Sequence, residues 1–208
     1  MKKALLVILL TALSVVSLTA LTISDDSLEL VVHEKSGRFT LYAVHSDGTK
    51  KSLFVEDDPR TTILTVLAGS KIYRMGDSFE FRQVVTGGGN SATITWTSSS
   101  LKVTESFTLE GAAISITVAV QNVSEQALSI GVRYLLDTYL GEKGEHFRAD
   151  GLPVRTETDY VWATPNEIVS SNGTGTQLVI LTTDRSITEP DRIVLANWKR
   201  LNDAPWDF

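Results

Sequence analysis

The chain has 208 residues, no cysteine, 19 basic and 25 acidic residues, and a formal net charge of −6. The missing thiols exclude disulfides, thiolate metal sites and cysteine nucleophiles. No basic run exceeds Lys50-Lys51 or Lys199-Arg200, which excludes nucleic acid as a partner, because a phosphate backbone needs a row of cations to displace its counterions.

The first 20 residues, MKKALLVILLTALSVVSLTA, set Lys2 and Lys3 before an uncharged apolar run and end on the small pair Thr19-Ala20. That is the anatomy of a secretory signal peptide. Leu18 is large for the position three before a cut, so the alternative is an uncleaved anchor. The uncharged stretch from Ala4 to Ile23 has about the ~20 residues that span a bilayer. Cleavage is the preferred reading and places the protein in the periplasm or outside the cell, with membrane contact only if the segment is retained. Taking Lys2 and Lys3 from the 19 basic residues leaves 17 against 25 acidic, a net −8 for the exported part.

Strand periodicity dominates the exported part. Glu34 to Gly37 reads as a turn, and His45-Ser46-Asp47-Gly48 as a hairpin loop between FTLYAV and KKSLFV, since Asp-Gly tolerates positive φ. TGGGN (86–90) and SSNGTGT (170–176) read as mobile loops, without the Lys-Ser/Thr ending of a phosphate cradle. In LKVTESFTL, Leu101, Val103, Phe107 and Leu109 share one face. In AISITVAVQ, Ile114, Ile116, Val118 and Val120 do the same. In LSIGVRYLL the apolar face is Leu128, Ile130, Val132, Tyr134 and Leu136. About twelve short strands in one domain, 21–208, predict a single antiparallel β-sandwich.

The KSGRFTLY strand and the SFTLEGAAISITVAVQNVSEQAL pair together resemble the large antiparallel sandwiches of the galactose-mutarotase-like superfamily. The resemblance implies a sandwich fold and carbohydrate handling by histidines and a carboxylate. His33, His45 and His146 match no motif of that kind, so the activity does not carry over with the fold.

Four features stand out as candidate sites. DTYLGEKGEHFRADG (137–151) gathers Asp137, Glu142, Glu145, His146 and Asp150. Its spacing fits neither a Ca²⁺ loop nor a Zn²⁺ set, and the preferred reading is a solvated connector. Glu105 shares its face with Leu101, Val103, Phe107 and Leu109. Inside an apolar layer its pKa would rise, whereas on a bulge or an edge it would reach water, which is the preferred reading. Arg133 and Asp137 lie about 13 Å apart on the less apolar face of their strand, too far to pair with each other but able to meet neighbours such as Glu105 or Asp58. The tail, ANWKRLNDAPWDF, brings Trp198 and Trp206. Such aromatics most often close a core, and otherwise bind a sugar face or a protein. The tail therefore docks on its own sheets, docks on another subunit, or follows a lost last strand that would leave an open edge.

No Ser/His/Asp arrangement and no selected carboxylate pair is legible, so no catalytic residue, metal or cofactor is assigned. The expected function is that of a non-enzymatic envelope protein. It would bind a protein partner or glycan through Glu105, Arg133, Asp137, Glu142, Glu145, His146, Trp198 and Trp206. The alternative is a carbohydrate-processing or mutarotase-like enzyme.

Overall fold

The computed structural model describes residues 20–55, 62–138, 140, 147–161, 163–173, 175–184 and 188–207. The signal segment therefore lies outside the described residues, apart from Ala20. Among the described residues no helix is long and apolar enough to cross a membrane.

The chain is built from hairpins. Strands β1 (Ala20–Ser24), β2 (Leu28–His33), β3 (Phe39–Val44) and β4 (Lys50–Ser52) form an antiparallel meander. The Asp-Gly turn falls where alternation predicts it. Gly48 has φ 80°, and Asp47 accepts from the Thr49 amide at 2.9 Å and hydroxyl at 2.6 Å, so the loop satisfies its own polar groups. Strands β5 (Ile63–Ala68) and β6 (Lys71–Arg74) form a second hairpin. A second meander comprises β7 (Arg82–Gly88), β8 (Ser91–Thr97), β9 (Leu101–Glu110) and β10 (Ala113–Asn122). The TGGGN stretch is not a loose loop. Strand β7 runs through Gly88, and Gly89-Asn90 closes the hairpin on the pair Gly88–Ser91.

Strand β11 (Ile130–Leu135) then returns to pair with β5, making the sheet β11-β5-β6. The remaining strands are β12 (Phe147–Ala149), β13 (Leu152–Pro153), β14 (Thr158–Val161), β15 (Glu167–Ser171), β16 (Gln177–Leu181) and β17 (Arg192–Leu195). They give a four-stranded sheet and the two-stranded ribbon β14–β17. One helix, α1 (Trp198–Asp203), closes the described chain, with the Asn197 side chain capping it by accepting from the Lys199 amide.

The all-β expectation holds, with 56% strand and one short helix among the described residues, but the single β-sandwich does not. The sheets are small and arranged as a four-bladed, propeller-like ring. Two-residue alternation reports which face of a strand is buried. It carries no information on which sheet the strand joins, and here tight turns and the return of β11 to β5 divide the strands into blades.

The main core lies between the two meanders and β5. Leu30, Val32, Phe39 and Leu41 meet Ile94, Trp96, Leu101, Val103 and Phe107, with Leu64 and Val66 alongside. Phe39 is its hub, edge-on to Phe107 at 4.9 Å and to Phe54 at 5.8 Å between ring centres, an arrangement that satisfies the ring quadrupoles. A smaller cluster of Ile63, Leu135 and Leu201 sits beneath α1, with Val194, Ala196 and Trp198 packed on it.

Candidate functional site

Alternation in β9 turns Leu101, Val103, Glu105, Phe107 and Leu109 inward, and all five are buried. Pairing is one-to-one from Ala113–Glu110 to Asn122–Leu101 on one side and continues against β8 on the other. There is no bulge at Glu105, and β9 is not an edge. The preferred sequence reading of a water-reaching carboxylate is thus overturned: Glu105 is 1% exposed. Its partner arrives from another sheet, as the Tyr134 hydroxyl on β11 donates to Oε1 of Glu105. Burial pushes the carboxyl up to about 7, with the Tyr134 hydrogen bond pulling part of the way back. Burial and the neighbouring carboxylate hold the Tyr134 phenol well above its usual range, so it remains a donor. A carboxyl sealed in this way can take up or release a proton with a change in stability, but it touches nothing from outside.

Arg133 points to the opposite side of β11. It donates to the carbonyls of Leu201, at 2.8 Å, and Ala204, at the C-terminal end of α1, where unsatisfied carbonyls favour a cation. Of the neighbours open to Arg133 in the sequence, Glu105 lies on the other face and is replaced by an anchor for the tail, and Asp58 lies outside the described residues. Burial, followed by the nearby Arg74 and Arg192 charges, lowers the Arg133 pKa. The face of β11 carrying Gly131, Arg133 and Leu135 is the one the tail covers. On the apolar face Tyr134 packs against the main core, while Ile130 and Val132 stay 37% and 47% exposed. The strand outruns the core beneath it.

Both tail tryptophans serve this docking. Trp198 packs on the small cluster under α1, and Trp206 lies over Gly131 so closely that a Cβ there would stand 2.5 Å from the indole. Arg74 adds a bond to Asn202, and Glu157 accepts from the Asn197 amide and from Arg200. Of the three destinations for the tail, its own sheet is the one adopted.

The acidic stretch is divided. The Asp137 carbonyl accepts from the Val55 amide at 3.1 Å. Asp150 caps a turn, accepting from the amides of Asn166 at 2.8 Å and Glu167 at 3.2 Å. Glu142, Glu145 and His146 lie outside the described residues. Among the described residues no group of three or more histidines and carboxylates is placed to hold a metal ion.

A second feature escaped the sequence reading altogether. Strand β10 ends its sheet, pairing along its full length with β9 and, among the described residues, with no other strand. The two-residue turn Gly111-Ala112, with Gly111 at φ 62°, makes Glu110 and Ala113 the hydrogen-bonded closing pair. By alternation the N–H and C=O groups of Ile114, Ile116, Val118 and Val120 then point outward. The side chains of these four residues are half-buried against the main core, while Ala113, Ser115, Thr117, Ala119 and Gln121 are exposed. Ten residues without a charge or proline were legible in the sequence, but the position of the strand at the rim of its sheet was not.

Comparison with known protein families, curated proteins and solved structures finds no match for this chain.

Proposed function

We propose that the protein is an exported, non-enzymatic binding protein of the bacterial envelope that holds another polypeptide at the open edge of β10. The reading of the first 20 residues as a signal peptide supports the location. One observation carries the binding mode: an uninterrupted ten-residue edge strand, uncharged and without proline. Natural sheets guard their edges with charge, proline, bulges or short length. Several other edge strands follow that rule: β4 carries Lys50 and Lys51, β6 carries Lys71 and Arg74, and β13 is two residues long with Pro153, while the uncharged edges β1 and β16 are only five residues long. An edge left unguarded over ten residues is a template for strand addition, in which main-chain hydrogen bonds supply affinity.

The expected route through the aromatic residues loses its support, because Trp198 and Trp206 pack the tail onto the chain's own sheet and small cluster. Glu105, one of the residues expected to contact a partner or glycan, is sealed in the core.

Amide exchange tests the proposal. The amides of Ile114, Ile116, Val118 and Val120 should exchange fast in the dilute purified chain and slow once the edge is filled, by envelope proteins or by raising the concentration of the chain itself. Unchanged, fast exchange at all four in the presence of envelope proteins would sink the strand-addition reading.

A further inference from the structure

We infer that the polypeptide held at this edge is the β10 strand of a second copy of the chain, joined antiparallel about a two-fold axis through Thr117. The inference rests on the strand-addition reading and names its partner.

Charge placement argues for a second copy and fixes the register. The outer face of the β9–β10 hairpin is polar and carries one cation at one end, Lys102, and one anion at the other, Glu110. Lys102 pairs with Gln121 and Glu110 with Ala113. An antiparallel mate centred on Thr117 puts Ala113 of the second copy opposite Gln121. The row across the joined sheet is then Lys102, Gln121, Ala113 and Glu110, with opposite charges on the same face at its ends. They stand about 14 Å apart at the backbone, three strand spacings, with two long side chains to close the gap. A parallel mate, which only a two-fold along the strands brings edge to edge, would set the apolar face of one copy on the solvent side of the other. Moving the axis by half a residue, a one-residue slip in register, turns the apolar face of one copy toward the solvent face of the other. Moving it by a whole residue takes Ala113 away from Gln121 and breaks the charged row.

The remaining pairs are self-complementary, as an isologous interface requires. Ile114 meets Val120 and Ile116 meets Val118, covering the four β-branched side chains that one copy leaves half-buried. These are the residues with outward N–H and C=O groups, so each such pair exchanges two hydrogen bonds. On the other face Ser115 meets Ala119 and Thr117 meets itself, all small and uncharged. The two four-stranded meanders then form one eight-stranded sheet.

Thr117 is exposed in the single chain, so substitutions there spare its fold, which unchanged melting temperatures would verify. Sedimentation of the exported chain over a concentration series should show a monomer–dimer equilibrium. Thr117→Lys and Thr117→Glu should each raise the midpoint concentration about 100-fold, since like charges would oppose each other at the axis. Mixing the two variants should restore dimers. Because the chain has no cysteine, oxidation gives a direct register test. Thr117→Cys should cross-link, its Cα atoms lying about 4.5 Å apart as a non-hydrogen-bonded pair. Ser115→Cys should not, being about four residues out of register with its own copy.

A wild-type chain that stays monomeric throughout, with no Thr117→Cys cross-link, overturns self-pairing. If the outward β10 amides are nevertheless protected by envelope proteins, strand addition stands with another partner, and if they are not, both readings fall. Cross-linking at Ser115→Cys in place of Thr117→Cys overturns the register.

Discussion

The Tyr134 hydroxyl donates to Glu105 across 29 residues of chain and between two sheets, inside a core where Glu105 is 1% exposed. This pair makes stability depend on pH in a direction opposite to that of a surface carboxylate. In the unfolded chain Glu105 titrates near the ordinary glutamate value of 4.5, whereas the fold raises it to about 7. The folded state therefore binds the extra proton, and its contribution is fully present below the unfolded value and lost as pH rises through about 7.

Replacing Glu105 by Gln should remove that slope. A shift from 4.5 to about 7 corresponds to about 3 kcal/mol between acid and alkaline limits. Glu105→Gln keeps an acceptor for Tyr134 and has no charge to desolvate. Melting curves at pH 5 and pH 8 should show the wild type losing stability between the two while the variant changes much less. A wild type that gains stability from pH 5 to 8, with a loss of that gain in the variant, would mean the carboxylate is stabilised by its surroundings.

Tyr134→Phe tests the same pair from the other side. Removing the hydroxyl leaves a buried carboxyl without its donor, at a cost of about 1–3 kcal/mol. The Tyr134 bond favours the charged form, so the loss should be greater at pH 8 than at pH 5 and the titration of Glu105 should move higher. Denaturant titrations at both pH values measure this, and an equal penalty at both would argue that the ring alone matters.

Gly131→Ala should disturb the tail. The added Cβ would stand 2.5 Å from the Trp206 indole, so the ring must move, with an expected loss of about 1–3 kcal/mol. Trp206→Ala should remove most of the clash, so the double variant should be more stable than additive single effects imply. A thermodynamic cycle checks this. Strict additivity would place Trp206 elsewhere in solution.

Arg133→Lys should loosen α1 despite conserving charge. The guanidinium reaches two carbonyls, those of Leu201 and Ala204, and an ammonium lacks the rigid fork to hold both. The expected cost is about 1 kcal/mol, with faster amide exchange at Leu201 and Ala204, whose own N–H groups bond back within the helix. Unchanged exchange there would show that packing of Leu201 alone secures the tail.

Local patterns in the sequence determined a good deal. Alternation over LKVTESFTL placed Glu105 on the same face as Leu101, Val103, Phe107 and Leu109, and Asp47-Gly48 marked its hairpin. These features depend on residues a few positions apart, where backbone geometry dictates side-chain direction. Alternation also identified the two faces of β11, yet the face judged less apolar is the one the tail covers, because Arg133 serves as an anchor whose partners lie some 70 residues away. Three things were decided by tertiary structure alone. Small sheets replaced a single sandwich, Tyr134 became the partner of Glu105, and β10 came to lie at a rim. Each depends on which strands become neighbours, and that is set by the packing of residues far apart in the chain, to which a two-residue period is blind.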